Sequence, residues 1–125
     1  MGMAERKDIL IDYNKPTAMM LGRWQPWHQG HQELFKKTLE KTGQVIIMIR
    51  DMPASKDNPF DIEQVKKNIN EALIEYKDKY EIIVVPNITN ICYGRGVGYK
   101  IEEIVLPKEI QEISATKIRK SLFDI

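Results

Sequence analysis

Three short, almost uninterrupted apolar runs punctuate the chain: Thr17–Leu21 (TAMML), Val45–Ile49 (VIIMI) and Glu81–Val85 (EIIVV). A strand with one wet face alternates apolar and polar residues. A continuous run suits a strand covered on both faces, as in a parallel sheet. Between the runs the period becomes helical. Leu34, Phe35, Thr38 and Leu39 form one stripe, and Gly43 is placed to end that helix. Ile62, Val65, Ile69, Ala72, Leu73 and Tyr76 form a second stripe at spacings of three and four, with Asp61 and Gln64 resembling a capping box at its start. A short last helix is expected from Ser114, carrying Ile118 and Leu122 inward. Tyr99–Leu106 is expected as a further strand with weaker patterning. The order β-α-β-α-β, then a less regular stretch and a helix, predicts an α/β fold: a single Rossmann-like, doubly wound domain with a parallel sheet. It is expected over residues 17–125, behind an N-terminal extension at 1–16. Ligands of such sheets bind beyond the carboxyl ends of the strands, which directs attention to the segments after Leu21, Ile49 and Val85.

Composition narrows the partners. The 125 residues suffice for one core, and 42% hydrophobic with 30% charged residues is an ordinary globular mixture. A net charge of only +1 offers no broad footprint for nucleic acid or an anionic membrane, so neither is expected as a partner. Any bound anion must be held by a local cluster. The apolar runs are too short to cross a bilayer, and Met1–Asp12 lacks the apolar region of a signal peptide. Cys92 is the single cysteine and cannot form an internal disulfide; a buried packing thiol and a cytoplasmic setting are expected.

The richest chemistry follows the first apolar run: Gly22-Arg23-Trp24-Gln25-Pro26-Trp27-His28-Gln29-Gly30-His31, leading into a helix. Gly22 and Gly30 let backbone approach a bulky anion, and Pro26 stiffens the turn. If the helix begins near Gln29, His28 and His31 both face its N-terminus, where free N–H groups and the positive dipole end attract phosphate. Trp24 and Trp27 are placed either to stack on a ligand or to pack on the sheet. A zinc site competes for the histidine pair, but no third or fourth ligand accompanies it at normal spacing, so no protein-held metal is expected.

This segment resembles the pattern G-x-F-x-P-x-H-x-G-H of the nucleotidyltransferase superfamily, matching at Gly22, Pro26, His28, Gly30 and His31 with Trp24 in place of Phe. About eighty residues later, Ile113-Ser114-Ala115-Thr116-Lys117-Ile118-Arg119 resembles the closing segment I-S-x-T-x-I-R. Its residue types suit an anion by themselves: Ser114 is a good N-cap, Thr116 adds a hydroxyl, and the Arg119 fork fits two phosphate oxygens. The resemblance covers about residues 17–121. It implies that Gly22, Arg23, Trp24, Gly30, Ser114, Thr116 and Arg119 bind an NTP, with Arg119's segment on the β- and γ-phosphates. His28, His31, Arg119 and Lys56 are implied to carry catalysis. Mg²⁺ is expected to bridge phosphate oxygens without a protein cage.

Weaker features concern the acceptor and the base. Lys56, in the loop after the second run, and Arg95, in Gly94-Arg95-Gly96-Val97-Gly98, are candidates to hold the acceptor's phosphate. The G-x-G-x-G spacing after the third run excludes a dinucleotide fingerprint, and no Walker A string occurs. Asn58-Pro59-Phe60 looks like the N-P-F of adenylyltransferases, although Val65 stands where they carry an arginine. The I-S-x-T-K-I string and the short chain look most like glycerol-3-phosphate-type cytidylyltransferases. The resemblance therefore favours CTP over ATP, with a polyol, amine or amino-acid phosphate as acceptor. Small capsule-modification cytidylyltransferases, some acting on a phosphate such as glutamine phosphate, are similar. Such relatives commonly dimerise, so a homodimer is expected. The alternatives are an adenylyltransferase using ATP and a non-catalytic nucleotide sensor. Class I aminoacyl-tRNA synthetases share the histidine signature but need room for tRNA that this chain lacks.

Overall fold

The computed structural model describes residues 11–95, 98 and 100–123. Strands β1 (Ala18–Gly22), β2 (Val45–Arg50) and β3 (Tyr80–Val85) lie side by side in that order, all parallel. Parallel neighbours need crossover connections. Helix α1 (Gln29–Thr42) supplies the first, and α2 (Ile62–Ala72) with a 3₁₀ turn at Ile74–Tyr76 supplies the second. Two short helices, α3 (Lys108–Gln111) and α4 (Ala115–Phe123), follow. The predicted parallel α/β architecture is present.

The core lies on one face of the sheet. Val45, Ile47 and Ile49 of β2 are essentially inaccessible, and their in-register partners include Met20, Tyr80 and Ile82. Phe35 from α1, and Val65, Ile69 and Leu73 from α2 and its end, close over them. Burying each such side chain is worth roughly 1.5–3 kcal/mol. The opposite face is more thinly covered, with Met19 46% exposed and Ile46, Met48 and Ile83 half-buried. Helix ends follow local chemistry. Gly43 adopts φ 85° and donates its N–H to Leu39 O, while the Asp61 carboxylate accepts from Gln64 N.

Two expectations are corrected. Residues 100–106 form no strand, and Tyr99 lies outside the described residues. Glu102-Glu103 interrupts the apolar positions, so no alternating face exists to bury; instead Glu102 pairs with Lys41 of α1 at 3.3 Å. Leu122 is 60% exposed rather than inward. Helix α4 packs through Ala115, Arg119 and Phe123, spaced by four, and Phe123 meets the ring of Phe60 at 5.8 Å. Leu122 falls beside that stripe.

Residues 11–16 are tied to the sheet. Ile11 is buried, and the buried Gln44 amide accepts from Asp12 N (3.0 Å) and donates to Asp12 O (2.7 Å) and Thr17 Oγ1 (2.7 Å). Gln44→Ala removes these partners at once and is expected to cost about 1–3 kcal/mol. Urea unfolding should show a lower midpoint with an unchanged slope; an unaltered midpoint would show that the clasp contributes nothing.

Candidate active site

Helix α1 begins where β1 has just ended, and its first turn is capped by imidazoles rather than by the usual hydroxyl or carboxylate. His28 is the N-cap, and its Nδ1 accepts from Gly30 N at 3.0 Å. His31 reaches back, its Nδ1 accepting from His28 N at 3.2 Å. The two rings stack at 3.6 Å between centroids, 19° from parallel. An Nδ1 that accepts carries no proton, so each neutral ring holds its hydrogen on Nε2. The pair therefore presents N–H donors beside a helix N-terminus, an arrangement that suits an anion.

Electrostatics agree with this tautomer. Burial lowers the His28 pKa, and burial followed by the neighbouring His28 pushes His31 down to about 3. Both rings are neutral at physiological pH. They act as dipolar donors, not as fixed charges.

Each small residue of the motif has a steric reason. A Cβ on Gly30 would lie 2.8 Å from His28 Cε1, and one on Gly22 would lie 2.8 Å from the Trp24 ring. Trp24 itself takes φ 55°, a region a bulky side chain rarely occupies. It is held there by burial, by Nε1–H donation to Met48 O (3.0 Å) and by ring contacts with Trp27 and His31. Trp27 is also buried and donates to Gln32 Oε1. Trp24 lines the site, and Trp27 packs behind it against Trp24 and His31.

The loop after β2 and the helix α4 converge on the same segment. Gln25 is buried; its amide pairs both ways with the backbone of Phe60, at 2.9 and 3.0 Å. The Gln25 carbonyl accepts from Arg119 Nη1 at 2.7 Å, across 94 residues of sequence. Arg119 is 4% exposed, donates to Thr116 Oγ1 (3.3 Å) and stands 3.6 Å from the Asp57 carboxylate. Ser114 caps α4, its Oγ accepting from Lys117 N. Arg23 donates to the buried Asn58 at 3.3 Å.

A cavity of about 330 Å³ is bounded by Gly22, Arg23, Trp24, His31 and Arg119, among others. The two motifs, far apart in sequence, therefore line one space. An open cleft of about 490 Å³ on the outside of α2, near Lys66 and Ile74, holds none of the motif residues, so its size carries no chemistry.

Other candidates stand further off. Lys56 is exposed beside Asp57, and neither it nor the exposed Arg95 makes a hydrogen bond or ion pair among the described residues. Cys92, expected to be buried, is exposed: it lies in the irregular stretch after β3, outside the strands and helices that build the core. Sequence reasoning gave no role to Gln25 or Asp57, and read Asn58 only as part of the Asn58-Pro59-Phe60 string. Gln25 and Asn58 are uncharged, and their roles arise from long-range pairing that no local spacing encodes. Asp57 is one acid among many until Arg119 is brought beside it.

Residues 19–90 match the family described as Cytidylyltransferase-like. The nicotinamide-nucleotide adenylyltransferase of Methanococcus maripaludis (strain C6) is 33% identical over 86% of this chain and 78% of its own length. Proteins of that name from Methanococcus vannielii and Methanococcus aeolicus are 37% and 33% identical over 57% of this chain. The matched part spans 42% of the length of each of those two. These relatives are named for adenylyl transfer, not for the cytidylyl transfer that the short chain and the I-S-x-T-K-I string favoured.

Two outcomes are expected. Gly30→Ala should turn the His28 ring out of place and abolish anion binding while circular dichroism stays native; retained binding would show that the ring's position is immaterial. The histidines also make stability depend on pH. The folded state keeps His31 neutral down to about pH 3, whereas an unfolded histidine takes up its proton near 6.5. This contribution is complete above pH 6.5 and is lost progressively as pH falls toward 3. His31→Asn keeps an acceptor for His28 N but cannot titrate, so the decline should be shallower than in wild type. Parallel curves would contradict the assignment.

Proposed function

The chain belongs to the Cytidylyltransferase-like family, and we propose that it transfers a nucleoside monophosphate from an NTP to a phosphorylated small molecule, releasing pyrophosphate. ATP is the proposed donor and nicotinamide mononucleotide the proposed acceptor. The observation that carries the reading is one cavity lined by both His31 of the capping histidine pair and Arg119 of the closing segment. The relatives' names support ATP. So does the Asn58-Pro59-Phe60 segment, whose first and last residues are tied to Arg23 and Gln25 of the first motif.

In this mechanism a phosphate oxygen of the acceptor attacks the α-phosphorus. The bond from that phosphorus to the oxygen bridging toward the β-phosphate breaks, and pyrophosphate leaves with the electron pair. The acceptor is already an anion, so no general base is required. The chain must align three groups and stabilise charge that grows on the phosphate oxygens. His28 and His31 donate from Nε2, and the first turn of α1 adds its dipole. Arg119 supplies the fork for the triphosphate, with Ser114 and Thr116 at the start of its helix. Lys56 and Arg95 are proposed as cations for the acceptor phosphate. Mg²⁺ bound to the phosphates supplies further charge neutralisation.

Pyrophosphate release should be measured for the four NTPs against nicotinamide mononucleotide and a panel of phosphorylated metabolites with Mg²⁺. Turnover with ATP and nicotinamide mononucleotide is expected, giving a product with two coupled phosphorus resonances. The dephosphorylated acceptor should be inert. Turnover with CTP alone would reassign the base, and tight NTP binding without turnover against any acceptor would make the protein a sensor. His28→Ala should lower kcat by roughly 10²–10³-fold, the scale of one oxyanion donor; wild-type turnover would remove His28 from the mechanism.

A further inference from the structure

Arg119 has both arms of its fork engaged. Nη1 donates to Gln25 O at 2.7 Å, and Nη2 faces Thr116 Oγ1 at 3.3 Å and Asp57 Oδ1 at 3.6 Å. The guanidinium is 4% exposed, whereas the Asp57 side chain is 72% exposed. A planar fork reaches full strength on phosphate only when two N–H groups meet two oxygens. A guanidinium carries five N–H donors, so these contacts leave others for a ligand, and Asp57 is the one charged partner among them.

The partners differ in how easily they leave. Gln25 is buried and pinned by its amide to Phe60, so its carbonyl stays. Thr116 lies on the same helix as Arg119, one turn earlier, and moves with it. Asp57 sits in the bend between Ser55 and Asn58, and its loop is fastened at Asn58 and Phe60 rather than at Asp57. At 3.6 Å, and with the carboxylate partner largely in solvent, the pair is weakened by salt.

We propose that Asp57 is a guard on Arg119: its carboxylate holds the guanidinium in place when no anion is bound and is displaced by the triphosphate. The inference rests on the reading of Arg119 as the triphosphate clamp. Asp57 is a positioning residue, acting through Arg119 and on binding more than on chemistry. It lowers affinity for any polyphosphate, because the incoming anion must first break the pair and then lie near a negative charge. It also keeps the arginine from capturing monovalent anions, which cannot compensate for the displaced carboxylate.

The test is calorimetry with ATP and with inorganic tripolyphosphate on wild type, Asp57→Asn, Arg119→Ala and the double variant. Asp57→Asn should bind both ligands about 3- to 10-fold more tightly at low salt, the gain shrinking as salt rises. The gain should vanish when Arg119 is already alanine, which separates action through Arg119 from a general loss of negative charge. Asp51→Asn, which removes an exposed acid elsewhere in the same loop, should leave affinity unchanged. Unchanged or weaker binding by Asp57→Asn, or an equal gain in the Arg119→Ala background, would overturn the guard while leaving the proposed function intact. If wild type and Asp57→Asn both fail to bind either ligand, the triphosphate site itself is wrong and the guard falls with it.

Discussion

Two imidazole nitrogens turned inward on the backbone organise this molecule's chemistry. By accepting from Gly30 N and His28 N, the histidines satisfy N–H groups that a helix N-terminus otherwise leaves unpaired. The same bonds decide where each ring keeps its hydrogen. A hydroxyl or carboxylate cap would satisfy the helix equally well but would present no outward N–H. The cap thus does structural and chemical work with one set of atoms. Its stacked geometry is possible only because position 30 has no side chain.

Around this cap the protein is joined by backbone contacts more than by ion pairs. Gln25 links the first motif to the loop after β2 through Phe60 and to α4 through Arg119. Three segments distant in sequence are therefore tied together at one buried residue. Trp24 adds a fourth tie, from the motif to the middle of the sheet at Met48. A left-handed residue with a bulky side chain costs of order 1–2 kcal/mol, and these ties over-determine it. Affinity for an anion can then come from oriented dipoles and one buried guanidinium, which agrees with a chain whose net charge is only +1.

The legible parts of the sequence were those set by local period and local sterics. Continuous apolar runs located all three strands, Gly43 and Asp61 located helix ends, and both motifs contribute residues to one cavity, Gly22, Arg23, Trp24 and His31 from the first and Arg119 from the second. Non-local features were not legible. Gln25 and Asn58 are ordinary polar residues whose partners lie 35 positions away. The stretch from Ile101 to Leu106 contains enough apolar residues to suggest a strand, yet its adjacent acids leave no face for pairing. Leu122 misled because a helix stripe was read toward the sheet, when α4 packs on the site loops. String similarity favoured CTP, whereas the relatives are named as adenylyltransferases, which the notation of a short motif could not convey.

The placement of the tryptophans has an optical consequence. The chain contains two, Trp24 and Trp27, and both rings lie within 5.5 Å of the His31 ring, measured between centroids. All indole emission from this protein therefore originates beside the His31 ring. A buried indole beside an imidazole changes brightness and colour when the ring gains charge, shifts or loses its water. The molecule carries its own spectroscopic reporter, and intrinsic fluorescence reads events at the histidines directly, without a label.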